Sequence, residues 1–376
     1  MYNKMYRPSL KSGWSLILLL VLSIILYLIA ANSYVEIRTD NYEQKLAAVN
    51  LMQEYIDALT TEIRARNIEI DPINDPFQTG LIGPRLSSIT TDRGLLSEKQ
   101  AAINPNIAAI FVEELSRRAS SGDKIAVGIT GSNPAVNLAL YAAITVLELD
   151  PKIIVSLSSA SYGANREELT WLDMEAILRE KGLLSFGSSY ASIGGSEDRG
   201  IGLTENGINA LREAMARNNV PLIYGSSLEE SVDLHMEAYD RMLGGEGRYH
   251  LFVNIGSGIA NVGSETNANL IPEGLNTKLA EKNFEREGVM MKMAKRNVPV
   301  LHIRRIIRWA NKYQLNLSLD HKPVVGEGTV FSSTIHNVTV SAICLIILIL
   351  AIVLVIIFDR HDRRFMANIV DTDDEL

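Results

Sequence analysis

The sequence predicts an α/β protein: a mostly parallel, Rossmann-like sheet with helices on both faces, carried between two transmembrane helices. Three observations predict it. Residues 14–31 and 338–358 form apolar runs of 18 and 21 residues without a charge, long enough to cross a hydrocarbon core of about 30 Å. Between them, five short apolar runs alternate with helical patterns, as βαβ units do. The single cysteine, Cys344, lies inside the second run. No disulfide can staple the intervening segment, and a thiol nucleophile or cysteine zinc site is excluded there, so stability must come from a core, which this length allows.

Basic residues beside the spans set an orientation. Lys4, Arg7 and Lys11 precede the first span, and Arg360, Arg363 and Arg364 follow the second. The positive-inside rule then makes both termini cytoplasmic in a two-pass protein of the plasma membrane. The expected organisation is a cytoplasmic N-terminus (1–13), the first span (14–31), a helical stalk (32–70), an extracytoplasmic α/β domain (71–335), the second span (338–358) and a cytoplasmic tail (359–376). Small residues Ala30 and Ala31 also fit a cleaved signal peptide, but the run is long for one.

Net charge is −8, and its distribution is more informative. The segment between the spans holds 30 basic and 38 acidic residues, yet residues 278–322 alone carry eleven basic against four acidic. Lys292, Lys295, Arg296, Arg304, Arg305 and Arg308 are therefore candidates for a polyanion surface, the alternative being a solvated helix face near a membrane.

In chain order, residues 39–66 have helical apolar spacing and form a stalk or a helix packed on the domain. Asp71-Pro72, Asp75-Pro76 and Gly83-Pro84 then break any regular element. Residues 87–93 are rich in Ser and Thr, and Asn104-Pro105 opens a helix over 106–119. The central unit follows: an apolar strand at 125–129, the turn Thr130-Gly131-Ser132-Asn133-Pro134, a helix, and a second strand at 153–157. Asn133 suits an N-cap and Pro134 the first helical position. Downstream come helices over 169–181, 204–218 and from a capping box at Ser227 to Leu243, with strands at 220–224, 250–255 and 298–303. The loop 187–202 is the most glycine-dense of the chain.

The candidate ligand residues follow from this order. Free amides at the start of the helix after Ser132 and Asn133 form a potential anion site. Ser159, Ser161, Tyr162 and Asn165 lie in a small polar loop after the second strand, with Asp173 just beyond it. Arg199 sits in the glycine-rich loop, and Gly256 and Ser257 follow the 250–255 strand. Strand carboxyl ends bring such loops to one sheet edge, where glycines admit close approach and an arginine holds a carboxylate. Ordinary turns contain the same residue types.

Several motifs together resemble the poly-γ-glutamate system protein family: Gly80-Leu81-Ile82-Gly83, Ile89-Thr90-Thr91, Asn104-Pro105, Val127-Gly128 through Pro134-Ala135, Ser161-Tyr162-Gly163-Ala164-Asn165, Thr170-Trp171-Leu172-Asp173-Met174-Glu175 and Asp198-Arg199-Gly200. The resemblance covers about residues 79–274. It implies a place in bacterial poly-γ-glutamate biosynthesis or export, beside other membrane subunits of the synthase, and supplies no catalytic residues.

Chemistry narrows the choice. No G-x-x-x-x-G-K-[ST] loop is present, and ATP is absent outside the membrane, so ATP-dependent ligation is excluded under this topology. The glycines at 128 and 131 fall short of a dinucleotide fingerprint, and no cofactor is expected. A hydrolase or transferase of the γ-amide would draw on Ser132, Ser159, Ser161 or Ser257 as nucleophile and His235, His250 or His302 as base, without a G-x-S-x-G elbow. A carboxylate site would use Asp173, Glu175 or Asp198. His235 and Glu237 lack metal-ligand spacing, so no metal is expected. The expected partners are poly-γ-glutamate or another anionic ligand and the membrane, with no nucleic acid. Three functions remain: an accessory component binding the polyanion, an amide hydrolase or transferase, and a non-catalytic scaffold.

Overall fold

The computed structural model describes residues 12–245, 247–280 and 283–373, with side chains as far as Arg360. Lys4, Arg7 and Lys11, and the side chains of Arg363 and Arg364, on which the orientation rests, lie outside the described residues, as do Glu281 and Lys282. The chain divides into two compact units, one from the segments up to Arg38 and from Ser332, the other Thr39–Phe331.

In the first unit, α1 (Gly13–Ala31) runs into strand β1 (Tyr34–Arg38), which pairs antiparallel with a strand at Ser332–His336 that leads into the helix Val338–Asp373. The two helices pack together. Both are long and apolar enough to cross a membrane. Their apolar side chains point outward, as a helix surrounded by hydrocarbon requires.

The second unit begins with α2 (Tyr42–Ala65). Val49, Met52, Tyr55, Ile56, Leu59 and Ile63 repeat at helical spacing and are all buried against the helices behind the sheet. Each such side chain contributes about 1.5–3 kcal/mol by leaving water. The predicted stalk is therefore corrected: α2 is a wall of the α/β unit, which starts at Thr39 rather than residue 71.

Next come β2 (Thr90–Asp92), α3 (Leu96–Ala102), α4 (Ile107–Leu115), β3 (Lys124–Thr130), α5 (Pro134–Val146), β4 (Asp150–Ser156), β5 (Ser159–Ala160), α6 (Trp171–Glu180) and β6 (Tyr190–Ser192). They are followed by α7 (Glu205–Arg217), β7 (Leu222–Ile223), α8 (Leu228–Leu243), β8 (Leu251–Ile255), α9 (Ile259–Val262) and α10 (Glu265–Leu270). β9 (Gly274–Asn276), α11 (Val289–Lys295), β10 (Val300–Ile303) and α12 (Ile306–Lys312) complete the unit. The main sheet has the order β7-β6-β4-β3-β8-β10-β9, all parallel except β9, and β2 pairs separately with β5. The five predicted strands are present. β2, β5, β6 and β9 are two or three residues long, too short for an apolar run to betray them.

Strand alternation sorts the core into two layers. Val127, Ile129, Val155, Val253 and Leu301 face the side of α2, α4, α5 and α6, while Ala126, Ile154, Phe252 and Val300 face α8 and α11. From β3 the chain moves outward through β4 and β6 to β7, then returns to β8 on the other side of β3. The strand order therefore reverses between β3 and β8, the position at whose carboxyl edge open α/β sheets place a ligand crevice.

Candidate functional site

At this reversal Thr130 ends β3 and Gly131-Ser132-Asn133 lead into α5. The side chain of Asn133 does not cap the helix. Its Oδ1 instead accepts a hydrogen bond from Nζ of Lys99 at 2.6 Å, and Lys99 also donates to the carbonyl of Ser132. Lys99 is 7% exposed. Burial pushes its ammonium down to about 8, against the opposing pull of Glu98 and Asp92. The first turn of α5 thus keeps its amides without a side-chain cap and gains a buried amine beside them.

Across the reversal, β8 ends in Gly256-Ser257-Gly258. Gly256 has φ +88°, and a Cβ there would stand 3.0 Å from Oγ1 of Thr130 and 3.1 Å from Nδ2 of Asn133, so the loop lies directly against the β3 turn. Oγ1 of Thr130 is buried without a hydrogen-bond partner among the described residues. Ser257 is exposed. Asn133, Ile255, Ile303, Arg304 and Glu98 line a cavity of about 10 Å³, room for a single water. Glu98 accepts the backbone N–H of Ile307 at 3.0 Å, fixing α12 beside α3. Arg304 donates to Asn269 at 2.7 Å, whereas Arg305 and Arg308 are exposed. Burial raises the carboxyl of Glu273, and the three nearby arginines oppose the shift.

The basic stretch is thus split. On α11, Lys292 pairs with Asp233, Lys295 with Glu287, and Arg296 with both carboxylate oxygens of Asp240. These residues form the solvated, neutralised helix face that was the alternative expectation. Arg304, Arg305 and Arg308 make no salt bridge among the described residues, and Arg304 lines the crevice.

The other predicted ligand residues serve the framework. Ser159 is fully buried, its hydroxyl donating to the carbonyls of Gly131 and Ala160. Ser161 is buried and its N–H bonds the carbonyl of Asp92. Asn165 is buried and donates to Pro84 and Thr90. Tyr162, with φ +64°, exchanges backbone hydrogen bonds with Gly83 and Pro84. The segment containing β2 therefore fills the space over this loop. The packing is close: a Cβ on Gly163 would stand 2.3 Å from Oγ of Ser159 and 2.5 Å from the carbonyl of Ser132. Ser132 accepts the N–H of Ala160 at 2.9 Å, tying the two loops together.

Asp173 is also corrected from ligand candidate to framework. It closes a capping box with Thr170 and receives Arg217 and Asn218. Burial alone would raise its carboxyl, but hydrogen bonds from Arg217, Asn218 and Thr170 outweigh it and hold the group low. Glu175 accepts from Tyr141, Trp171 and Ser188 instead, and its carboxyl is raised by burial despite these donors. Arg199 belongs to the far end of the edge. It donates to the carbonyl of Ser226 at 2.7 Å and stacks on Tyr224, beyond β7. One pocket holding all four predicted loops is therefore not formed.

A second polar centre was missed as a group. Thr130, Ser156 and Ser192 end β3, β4 and β6 in direct register, so their hydroxyls line one face of the edge. The glycine-rich loop delivers Asp198, itself at φ +61°, into this row. Asp198 accepts Ser192 at 2.7 Å and Ser231 at 2.6 Å, and Nε2 of His235 stands 3.8 Å away. All four residues are nearly inaccessible. None of Ser132, Ser159, Ser161 and Ser257 hydrogen-bonds His235, His250 or His302 among the described residues. His250 instead meets Asp123 at the opposite edge, and His302 accepts from Asn254 at 2.9 Å if its Nδ1 is unprotonated. Burial, reinforced by Arg304, pushes His302 down to about 4. Among the described residues no group of three metal-ligating side chains occurs.

No protein-family profile, curated protein or solved structure matches the chain.

Proposed function

We propose that the α/β unit binds a carboxylate-rich anion where β3, β8 and β10 end, and that the two apolar helices hold it at a membrane. The observation that carries this reading is the meeting of Arg304 with Asn133 at the uncapped first turn of α5, with Lys99 bonded to Asn133 behind it and neither cation in a salt bridge among the described residues; Arg305 and Arg308 are exposed at the start of α12 beside it. The reversal of strand order between β3 and β8 supports it, because Rossmann-like sheets hold ligands at that position. Arginines bind carboxylates through paired N–H donors, and helix amides add a fixed positive pole.

The sequence motifs point to poly-γ-glutamate, a chain with one carboxylate per residue, which suits a short basic ridge. In this reading both termini are cytoplasmic, the unit lies outside the membrane, and the neighbours are other subunits of the synthase. The test is calorimetric titration of the full chain in detergent with poly-γ-glutamate. Binding at low salt that fades at high salt is expected. No binding at low salt overturns the proposal.

One observation favours a second reading, amide hydrolysis or transfer. A neutral lysine amine has two N–H donors and one lone pair. Lys99, with its ammonium pushed down to about 8, has two acceptors in the carbonyl of Ser132 and the amide of Asn133. A neutral amine can serve as base to a serine hydroxyl; here Lys99 meets the carbonyl of Ser132, and the hydroxyl, which accepts the N–H of Ala160, would have to turn to it. Polymer length unchanged after prolonged incubation, or shortening that survives Ser132→Ala, rejects this reading.

A further inference from the structure

A groove of about 450 Å³, separate from the sheet edge, lies along α2. Gln53, Asp57, Thr60, Thr61 and Arg64 line it at spacings of three and four residues, so they share one helical face, which flanks the buried stripe at Ile56. Phe77 and Ile103 form its apolar floor, and Lys322 reaches it from the opposite wall. Among the described residues the side chain of Asp57 hydrogen-bonds only Gln53, at 2.9 Å, and that of Arg64 only Gln78, at 3.4 Å. None of Asp57, Arg64 and Lys322 forms a salt bridge among the described residues. One anion and two cations thus line a common space.

We propose that this groove binds a short acidic peptide, its ammonium on Asp57 and its carboxylates on Arg64 and Lys322. The charge pattern selects a ligand with more carboxylates than amines. The spacing selects its length: Asp57 and Arg64 lie seven residues apart on the helix, about 10 Å, which two or three extended residues span at about 3.5 Å each. Thr60 and Thr61 spend their hydroxyl protons on the carbonyls of Ile56, Thr79 and Asp57. They therefore present only acceptor oxygens to the peptide N–H groups between the charged ends. The site is independent of the crevice proposed above.

The test is calorimetry of the full chain in detergent with L-glutamyl-L-glutamate, its N-acetylated form and alanyl-alanine. Saturable binding of the acidic dipeptide is expected, about tenfold tighter than alanyl-alanine and about tenfold weaker in Arg64→Ala. Asp57→Asn should weaken the free dipeptide and leave the N-acetylated form unchanged, which isolates the ammonium contact. Arg304→Ala with Arg308→Ala should leave dipeptide binding intact. Asp57, Arg64, Arg308 and Lys322 are exposed and Arg304 is half-buried, so an unchanged melting temperature is the check that each variant folds. No saturable binding, or undiminished binding in Arg64→Ala combined with Lys322→Ala, overturns the proposal.

Discussion

The two halves of the sheet's carboxyl edge both gather polar side chains, and the chain satisfies them to different degrees. Over β4 and β6, serines, an asparagine and Asp198 are buried and bonded to one another or to the segment around β2. Over β3, β8 and β10, Lys99 stands beside an uncapped helix start and Arg305 and Arg308 are exposed. Polar residues after a strand are thus not informative by type. What matters is whether the chain supplies their partners.

If the proposed reading holds, substitutions over β4 and β6 should change stability, and substitutions over β3, β8 and β10 should change binding. The largest expected effect is on binding. Replacing Arg304, Arg305 and Arg308 together by Ala should weaken poly-γ-glutamate about a hundredfold, two or more charge-assisted contacts, with an unchanged melting temperature. A lowered melting temperature with undiminished binding would break the comparison. Next, Asp198→Ala strands the hydroxyls of Ser192 and Ser231 and should cost about 3 kcal/mol in denaturant unfolding, while the folded fraction binds normally.

His302 gives an effect of similar size that depends on pH. Its folded value is about 4 against 6.5 unfolded. The unfolded chain therefore binds the extra proton first. Stability is whole above pH 6.5 and falls as pH drops towards 4, by about 3 kcal/mol. His302→Gln should flatten that part of the pH–stability curve.

Lys99 makes a smaller test. It loses its charge as pH rises through about 8, so anion affinity should fall by a few-fold there. Lys99→Met should bind weakly at all pH values without that step. Smallest of all, Ala at Lys292, Lys295 and Arg296 should change affinity less than about twofold, because each is already paired with a carboxylate at the surface.

How much of this was legible in the sequence follows the range of the interactions. The β3-α5-β4 unit was readable because apolar runs and the Asn133-Pro134 start are local signals. α2 was recognised as an amphipathic helix, but its pattern does not say what covers the apolar stripe. The Asp198 centre draws on residues 156, 192, 198, 231 and 235, which only strand register and α8 bring together. Lys99 sits between Glu98 and Gln100 and carries no mark of burial. Its environment is made by Ser132 and Asn133, more than thirty positions away.

One feature at the margin of the fold bears on how the molecule is made. The N–H of Thr39 bonds the carbonyl of Phe331 at 2.9 Å, and the buried ammonium of Lys45 bonds that of Val330 at 2.9 Å while pairing with Glu113 at 2.7 Å. The wall formed by α2 is therefore latched to nearly the last residues of its own unit. During synthesis that latch cannot close until Val330 has left the ribosome, and Lys45 must wait for its carbonyl acceptor through 285 residues of chain. Completion of the α/β unit is then a late event, close in time to emergence of the second apolar helix only a few residues further on.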